Sequence, residues 1–131
     1  MDRKLQETGL ELRAMESGQA ASWLIKSYPL NNPGYGDAFQ LLKARSWKRN
    51  DQLRLARYYL QKAPFASEKP YEIFISFMSI KLFILVPREF PPKSKADADL
   101  LIYHLRPVLQ KVAKTAEQRE IVNALFYEFQ S

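Results

Sequence analysis

The sequence contains no cysteine, one histidine and only four glycines. The absence of cysteine excludes disulfides, thiolate nucleophiles and cysteine-based zinc or iron–sulfur sites. It also favours a reducing compartment, so we expect a cytoplasmic location. With so few glycines, a phosphate-cradling loop is not expected, and the sequence contains none of the P-loop, dinucleotide-binding, nucleophile-elbow or zinc-protease patterns. The sequence therefore predicts no cofactor and no metal site.

Long apolar runs are missing as well. The longest covers residues 73–86 and is interrupted by Ser76, Ser79 and Lys81. It is shorter than the roughly 18 residues that a membrane-spanning helix needs, so we interpret it as a buried core element. The N-terminal residues are charged and are not followed by an apolar stretch, so the sequence predicts neither a signal peptide nor a membrane anchor.

The composition is that of a globular protein. The chain has 131 residues, of which 47% are hydrophobic and 13% aromatic. A chain of this length and composition can bury a core without cross-links, and it predicts a single domain over residues 1–131. Apolar residues recur at helical spacing along most of the chain, which favours an all-α bundle or a short α-solenoid of six to seven helices.

Capping residues predict where several of these helices begin. Residues 2–28 are expected to be helical, with a break at the Ser17-Gly18 pair because glycine costs up to about 1 kcal/mol in a helix. Asp37 and Asn50 are candidate N-caps for two short helices that end near residues 47 and 62. Thr115-Ala116-Glu117-Gln118 has the pattern of a capping box and predicts the start of the last helix.

Residues 71–86 allow two interpretations. Glu72, Ser76 and Ser79 form a narrow polar line at helical spacing, which favours one helix from Ser67 to about residue 85. The abundance of Ile, Phe and Val also fits a β-hairpin, which would make the fold α+β. Farther on, Pro87, Pro91 and Pro92 predict an extended connector over residues 88–95. Pro107 predicts a kink or a restart in the helix that follows.

No arrangement of residues in the sequence supports catalysis. His104 has no second histidine near it, and Asp97 lies two helical turns earlier, out of direct reach. Asp97 and Asp99 have a sufficient structural role at the start of a helix, where negative charge complements the helix dipole. We therefore expect no enzymatic activity.

The net charge of +6 is concentrated in one segment. Residues 39–64 contain seven basic residues and one acidic residue, whereas the remainder of the chain contains thirteen of each. A segment with this charge is expected to bind an acidic surface or a phosphate backbone. Aromatic side chains occur among the cations, as they do in many interfaces. The candidate partner-binding residues are Arg45, Trp47, Lys48, Arg49, Arg54, Arg57 and Tyr58.

Three interpretations of this segment remain open. It can be a protein interface, a nucleic-acid-binding patch, or a solvated helix face without a partner. Because the patch is small and no helix-turn-helix or other nucleic-acid-binding module is present, the protein interface is favoured over the nucleic-acid one.

The chain resembles a known group of proteins in its general character. The two stretches that come nearest to a signature are residues 46–51 (SWKRND) and 63–72 (APFASEKPYE). The whole chain is similar to bacterial immunity proteins that neutralise the toxins of contact-dependent inhibition. Those proteins are small, cytosolic and cysteine-poor, have no catalytic machinery, and in several cases are all-helical. The resemblance implies an inhibitor that binds a cognate toxin. Immunity proteins that face nuclease toxins are often acidic, so the basic charge here implies an acidic toxin surface or a different binding mode.

Overall fold

The computed structural model describes residues 2–130, and it is all-helical. Helices make up 74% of the structure, and the described residues contain no strand. The all-α prediction is therefore confirmed, and the hairpin alternative for residues 71–86 is wrong. The helix count is slightly above the predicted six to seven. No helix within residues 2–130 is both long and apolar enough to cross a membrane.

The chain divides into two compact units, Met1–Tyr59 (unit 1) and Leu60–Ser131 (unit 2). The prediction of a single domain remains a prediction. Unit 1 contains four α-helices and a 3-10 turn: α1 (Arg3–Ala14), α2 (Ser17–Ser27), the turn Pro33–Gly36, α3 (Asp37–Leu42) and α4 (Arg49–Tyr59). Its fully buried side chains include Leu12, Leu24, Leu41, Leu42 and Leu55.

The break between α1 and α2 falls at residues 15–16, directly before the predicted Ser17-Gly18 pair. Ser17 is buried, and its hydroxyl accepts a hydrogen bond of 2.9 Å from the backbone N–H of Lys48. Gly9, which weakens α1 intrinsically, has a packing role. A Cβ at Gly9 would lie 3.1 Å from the Cβ of Ala44, so the chain approaches α1 closely there.

Two predicted caps in unit 1 are wrong by one residue. Asp37 is the first residue of α3 and not its cap, because the preceding 3-10 turn runs directly into the helix and the Asp37 N–H donates to Gly34 and Tyr35. Likewise α4 begins at Arg49, so Asn50 lies inside it, and the Lys48 carbonyl accepts the first helical hydrogen bonds. α3 also ends at Leu42, earlier than predicted.

Unit 2 begins with the 3-10 turn Leu60–Lys62 and contains five helical segments: α5 (Lys69–Ile75), α6 (Ile80–Phe83), α7 (Leu85–Glu89), α8 (Lys95–Val112) and α9 (Ala116–Gln130). Its large buried side chains include Tyr71, Phe74, Phe83, Leu105, Leu109 and Leu125. Unit 2 is therefore richer than unit 1 in buried phenylalanine.

The helix predicted from Ser67 to about residue 85 is interrupted. α5 ends at Ile75, and a new helix, α6, begins after Ser79. The Ser79 hydroxyl accepts a hydrogen bond from the Leu82 N–H at 3.1 Å, so Ser79 is the N-cap of α6. Serine competes for backbone groups in this way and favours helix starts over helix interiors. The polar line at residues 76 and 79 thus marks the break between two helices.

The proline-rich connector is shorter than predicted. Pro87 lies in the first turn of α7, where its missing N–H costs nothing, and the helix continues to Glu89. Pro107 lies inside α8, and the helix continues through it without a restart. The capping box is confirmed: the Thr115 hydroxyl accepts from the Gln118 N–H at 3.1 Å, and the Gln118 side chain accepts from the Thr115 N–H at 3.2 Å.

Candidate functional site

Arg45 is used inside unit 1. Its Nη1 donates hydrogen bonds to the carbonyls of Leu12 (2.9 Å) and Met15 (2.7 Å), which are terminal carbonyls of α1. Its guanidinium also lies over the ring of Trp47, 4.9 Å from the ring centre. A cation at a helix C-terminus satisfies carbonyls that have no partner within the helix and complements the helix dipole. Arg45 therefore has a clear structural role in joining α1 to the segment before α4.

The two aromatic candidates also form hydrogen bonds within unit 1. Trp47 is only 5% exposed, and its indole N–H donates to the Leu42 carbonyl at 3.0 Å. Tyr58 is partly buried, and its hydroxyl accepts from the Leu30 N–H at 2.8 Å. Trp47 is therefore largely covered, whereas Tyr58 keeps part of its side chain at the surface.

Tyr59, next to Tyr58, shows how α4 is fixed to α2. Its buried hydroxyl lies 3.2 Å from the Leu24 carbonyl and 3.0 Å from the Tyr28 carbonyl, to which it donates. Burial raises the pKa of the Tyr59 phenol well above its ordinary value, and the neighbouring Tyr58 and Tyr28 hydroxyls raise it further. The phenol is therefore a permanent donor at neutral pH.

The remaining four candidates, Lys48, Arg49, Arg54 and Arg57, are exposed. Arg54 Nη2 donates to the hydroxyl of Ser22 on α2 at 2.9 Å, which places the exposed sides of the two helices next to each other. Lys26 is exposed one helical turn beyond Ser22, so it extends the same side of α2. We call the exposed cations of α2, of α4 and of the residue before α4 the basic surface: Lys26, Lys48, Arg49, Arg54 and Arg57. Sequence reasoning missed Lys26 because it lies far from the charged segment along the chain.

The basic surface is poorly neutralised. Lys26, Lys48, Arg49 and Arg54 form no ion pair with any residue in the range 2–130. Asp51 is the nearest acidic residue in sequence, and its carboxylate lies close to Gly18 at the start of α2. A carboxylate there is stabilised by the dipoles of α2 and α4. The positive field of the basic surface is therefore available to a partner.

His104 in unit 2 has a neighbour that the sequence did not reveal. Its Nδ1 lies 3.7 Å from Oε2 of Glu68, and the imidazole is only 14% exposed. The two residues are far apart in sequence and meet because α5 packs against α8. Asp97, the only acid that sequence spacing could associate with His104, is not its partner. No sequence signal pointed to Glu68, since its position before Lys69-Pro70 already has an explanation in the start of α5.

The described part of the chain contains no group of three or more histidine and carboxylate side chains that could hold a metal ion. Comparison with models of protein families, with curated proteins and with solved structures gives no match for this chain.

Proposed function

We propose that this protein is a non-catalytic binding module that recognises an acidic surface on a partner protein through its basic surface. The observation that carries the proposal is the set of exposed cations on and next to α2 and α4, of which Lys26, Lys48, Arg49 and Arg54 form no ion pair with a described residue. Their positions are fixed by the hydrogen bonds that join the two helices, Ser17 to Lys48, Ser22 to Arg54 and Leu24 to Tyr59. Such preorganisation lowers the entropic cost of binding.

The charge pattern supports steering toward an acidic partner. Complementary charges raise the association rate and exclude partners of the wrong sign more than they raise affinity. Arginine is enriched at protein interfaces, and two of the cations, Arg54 and Arg57, lie on one side of α4. The same cations fit a nucleic-acid backbone, which remains the second candidate function.

The more specific proposal is an immunity protein that neutralises a cognate bacterial toxin in the cytoplasm. It rests on the similarity in general character: a small, helical, cysteine-free chain without recognisable catalytic motifs. Genes for such inhibitors lie beside those of their toxins. The proposal predicts that co-expression of this chain protects cells from the toxin encoded next to it, and protection that is absent at equal expression would contradict it.

The protein and nucleic-acid functions are separated by capture from a lysate of the native organism. The tagged chain is incubated with lysate that has or has not been treated with nuclease, and bound proteins are identified by mass spectrometry. A single protein retained after nuclease treatment supports the protein-binding function. A spread of proteins that disappears after nuclease treatment shows that the basic surface binds phosphate, and the protein-binding function is then wrong.

A further inference from the structure

A cleft of about 750 Å³ lies between α5 and α8 in unit 2. None of the residues of the basic surface lines it. This volume falls in the range of roughly 300–1,000 Å³ that is typical of small-molecule sites. Acidic side chains mark one part of its lining, Glu68 and Glu72. The Glu72 N–H donates to the Glu68 carbonyl at 3.0 Å, so the two residues are one helical turn apart and their side chains are neighbours.

The acidic part of the cleft has no ion pair with a lysine or arginine among the described residues. Glu68 faces His104 at 3.7 Å, a contact that is an ion pair only when the imidazole is protonated. The carboxylate of Glu72 has no hydrogen bond or ion pair with any of residues 2–130. In a protein with a net charge of +6, two adjacent carboxylates without a strong cationic partner are suited to bind an ammonium group.

Aliphatic residues and the Tyr103 ring also line the cleft. Ile75 and Val108 line the cleft, and Val108 is buried. Tyr103 is 73% exposed and stands edge-on to His104, with ring centres 4.9 Å apart. These aliphatic residues favour a ligand with a hydrocarbon chain over a compact polar ligand. The Tyr103 ring adds a surface on which a cation or a methylene chain can pack.

Lys111 gives the cleft a positively charged group in addition to the two carboxylates. Lys111 is exposed, lines the same cleft and has no ion pair with a described residue. It follows His104 by seven positions on α8, which corresponds to about 10 Å along the helix axis. Glu68, which lies beside His104, and the Lys111 ammonium therefore accept opposite charges at separate points, with apolar residues in the same lining.

We propose that this cleft binds a linear ω-amino carboxylate as a free small molecule. The ligand ammonium contacts Glu68 and Glu72, its alkyl chain lies on Ile75 and Val108, and its carboxylate contacts Lys111. A simple cation satisfies only one end and is repelled by Lys111, whereas a simple anion is repelled by the glutamates. The amino carboxylate is the class that matches both charges and the apolar lining.

The test measures binding of 6-aminohexanoate, hexylamine and hexanoate to the full chain by NMR titration of the residues around the cleft. We expect 6-aminohexanoate to bind with a Kd of about 1 mM or lower and more tightly than either singly charged compound. The proposal is overturned if no saturable shift occurs at about ten times that concentration, or if either hexylamine or hexanoate binds equally well.

Two variants are expected to change the affinity for hexylamine in opposite directions, which a purely structural role of these residues does not produce. Glu72→Gln is expected to weaken both 6-aminohexanoate and hexylamine by about ten-fold. Lys111→Gln is expected to weaken 6-aminohexanoate and to strengthen hexylamine, because it removes attraction for the first ligand's carboxylate and repulsion of the second ligand's ammonium. Glu120→Gln and Lys114→Gln are the matched controls, since both are exposed and do not line the cleft. Equal effects of a cleft variant and its control would contradict the proposal.

Discussion

In unit 1, side chains reach across many residues of sequence to bond backbone groups: Arg45 to Leu12 and Met15, Tyr58 to Leu30, and Tyr59 to Leu24. In unit 2, the side-chain contacts between distant residues are mostly ion pairs at the surface. Examples are Lys81 with Glu117 at 2.6 Å and Arg88 with Glu128 at 3.1 Å. The buried large side chains also differ, with aliphatic residues prominent in unit 1 and phenylalanines in unit 2.

The two units also differ in net charge. Both units contain ten basic residues, but unit 1 contains six acidic residues and unit 2 contains eight. Ion pairs occur in both units, with Arg3 and Glu7 in unit 1 and with Lys81, Arg88 and Lys95 in unit 2. Both units also contain cations without an acidic partner among the described residues, such as Arg49 in unit 1 and Lys111 in unit 2. Unit 1 therefore has the larger net charge, +4 against +2 for unit 2.

The largest expected effect is in the apolar core of unit 2. Phe74 is fully buried, so Phe74→Ala removes a complete aromatic side chain and leaves a cavity. We expect the free energy of unfolding to fall by about 3–5 kcal/mol, measured by denaturant titration. Leu85→Ala is the control in the same unit because Leu85 is 42% exposed, and it should cost much less. Equal losses would show that burial does not set the stability of this unit.

A smaller but substantial effect is expected for the polar framework of unit 1. Arg45→Met keeps the aliphatic stem but removes the donors to the Leu12 and Met15 carbonyls. We expect a loss of about 1.5–3 kcal/mol, since these are charge-assisted bonds to partly buried carbonyls. Arg49→Met is the control because Arg49 is exposed and has no partner in the described chain. If Arg45→Met lowers the free energy of unfolding by no more than Arg49→Met does, hydrogen bonds from side chains to backbone groups do not distinguish unit 1 from unit 2.

Alkaline pH tests the buried phenol of unit 2. Burial raises the pKa of Tyr71 to about 12 from an ordinary 10.0, although the hydrogen bond donated by the Phe65 N–H lowers it partly. Because the folded value is the higher one, the stabilisation is complete below pH 10 and is lost as the pH rises toward 12. We expect unfolding to become easier over this window and less so in Tyr71→Phe, as followed by tyrosinate absorbance. An identical pH dependence in the variant would contradict the assignment.

The smallest effect is expected for a surface ion pair. Lys81 lies 2.6 Å from Glu117, and this hydrogen-bonded lysine lowers the pKa of the Glu117 carboxyl. Both side chains are about two-thirds exposed, and such pairs contribute little because solvent screens them. Lys81→Met should therefore leave the thermal midpoint unchanged within error at both low and high salt. A clear salt-sensitive loss would show that ion pairs stabilise unit 2 as strongly as hydrogen bonds stabilise unit 1.

Local sequence signals predicted local structure well. The capping box at Thr115, the break near Ser17-Gly18 and the all-α class each depend on neighbouring residues, and the structure confirms all three. The break before Ser79 was missed because serine at helical spacing was interpreted as a polar face. Its capping role depends on the extended backbone at that residue.

Contacts between distant residues could not be predicted. The charge density of residues 39–64 was visible, yet the distribution of roles within it was not, because the acceptors of Arg45 and Tyr58 lie far away in sequence. The contact of His104 with Glu68 also depends on helix packing. The sequence therefore indicated the charged segment. The fold shows which of its side chains form hydrogen bonds within unit 1 and which are exposed.

The most direct test of the account is a matched pair of charge reversals, measured with the purified protein partner over a range of salt concentrations. Lys48→Glu with Arg49→Glu reverses the charge at the start of α4, where acidic side chains do not destabilise a helix. Lys93→Glu with Lys114→Glu makes the same change at exposed positions of unit 2. We predict that the first pair lowers affinity by about 100-fold at low salt and that the second changes it by less than about 3-fold. Equal effects of the two pairs, or no effect of the first, would contradict the assignment of binding to the basic surface.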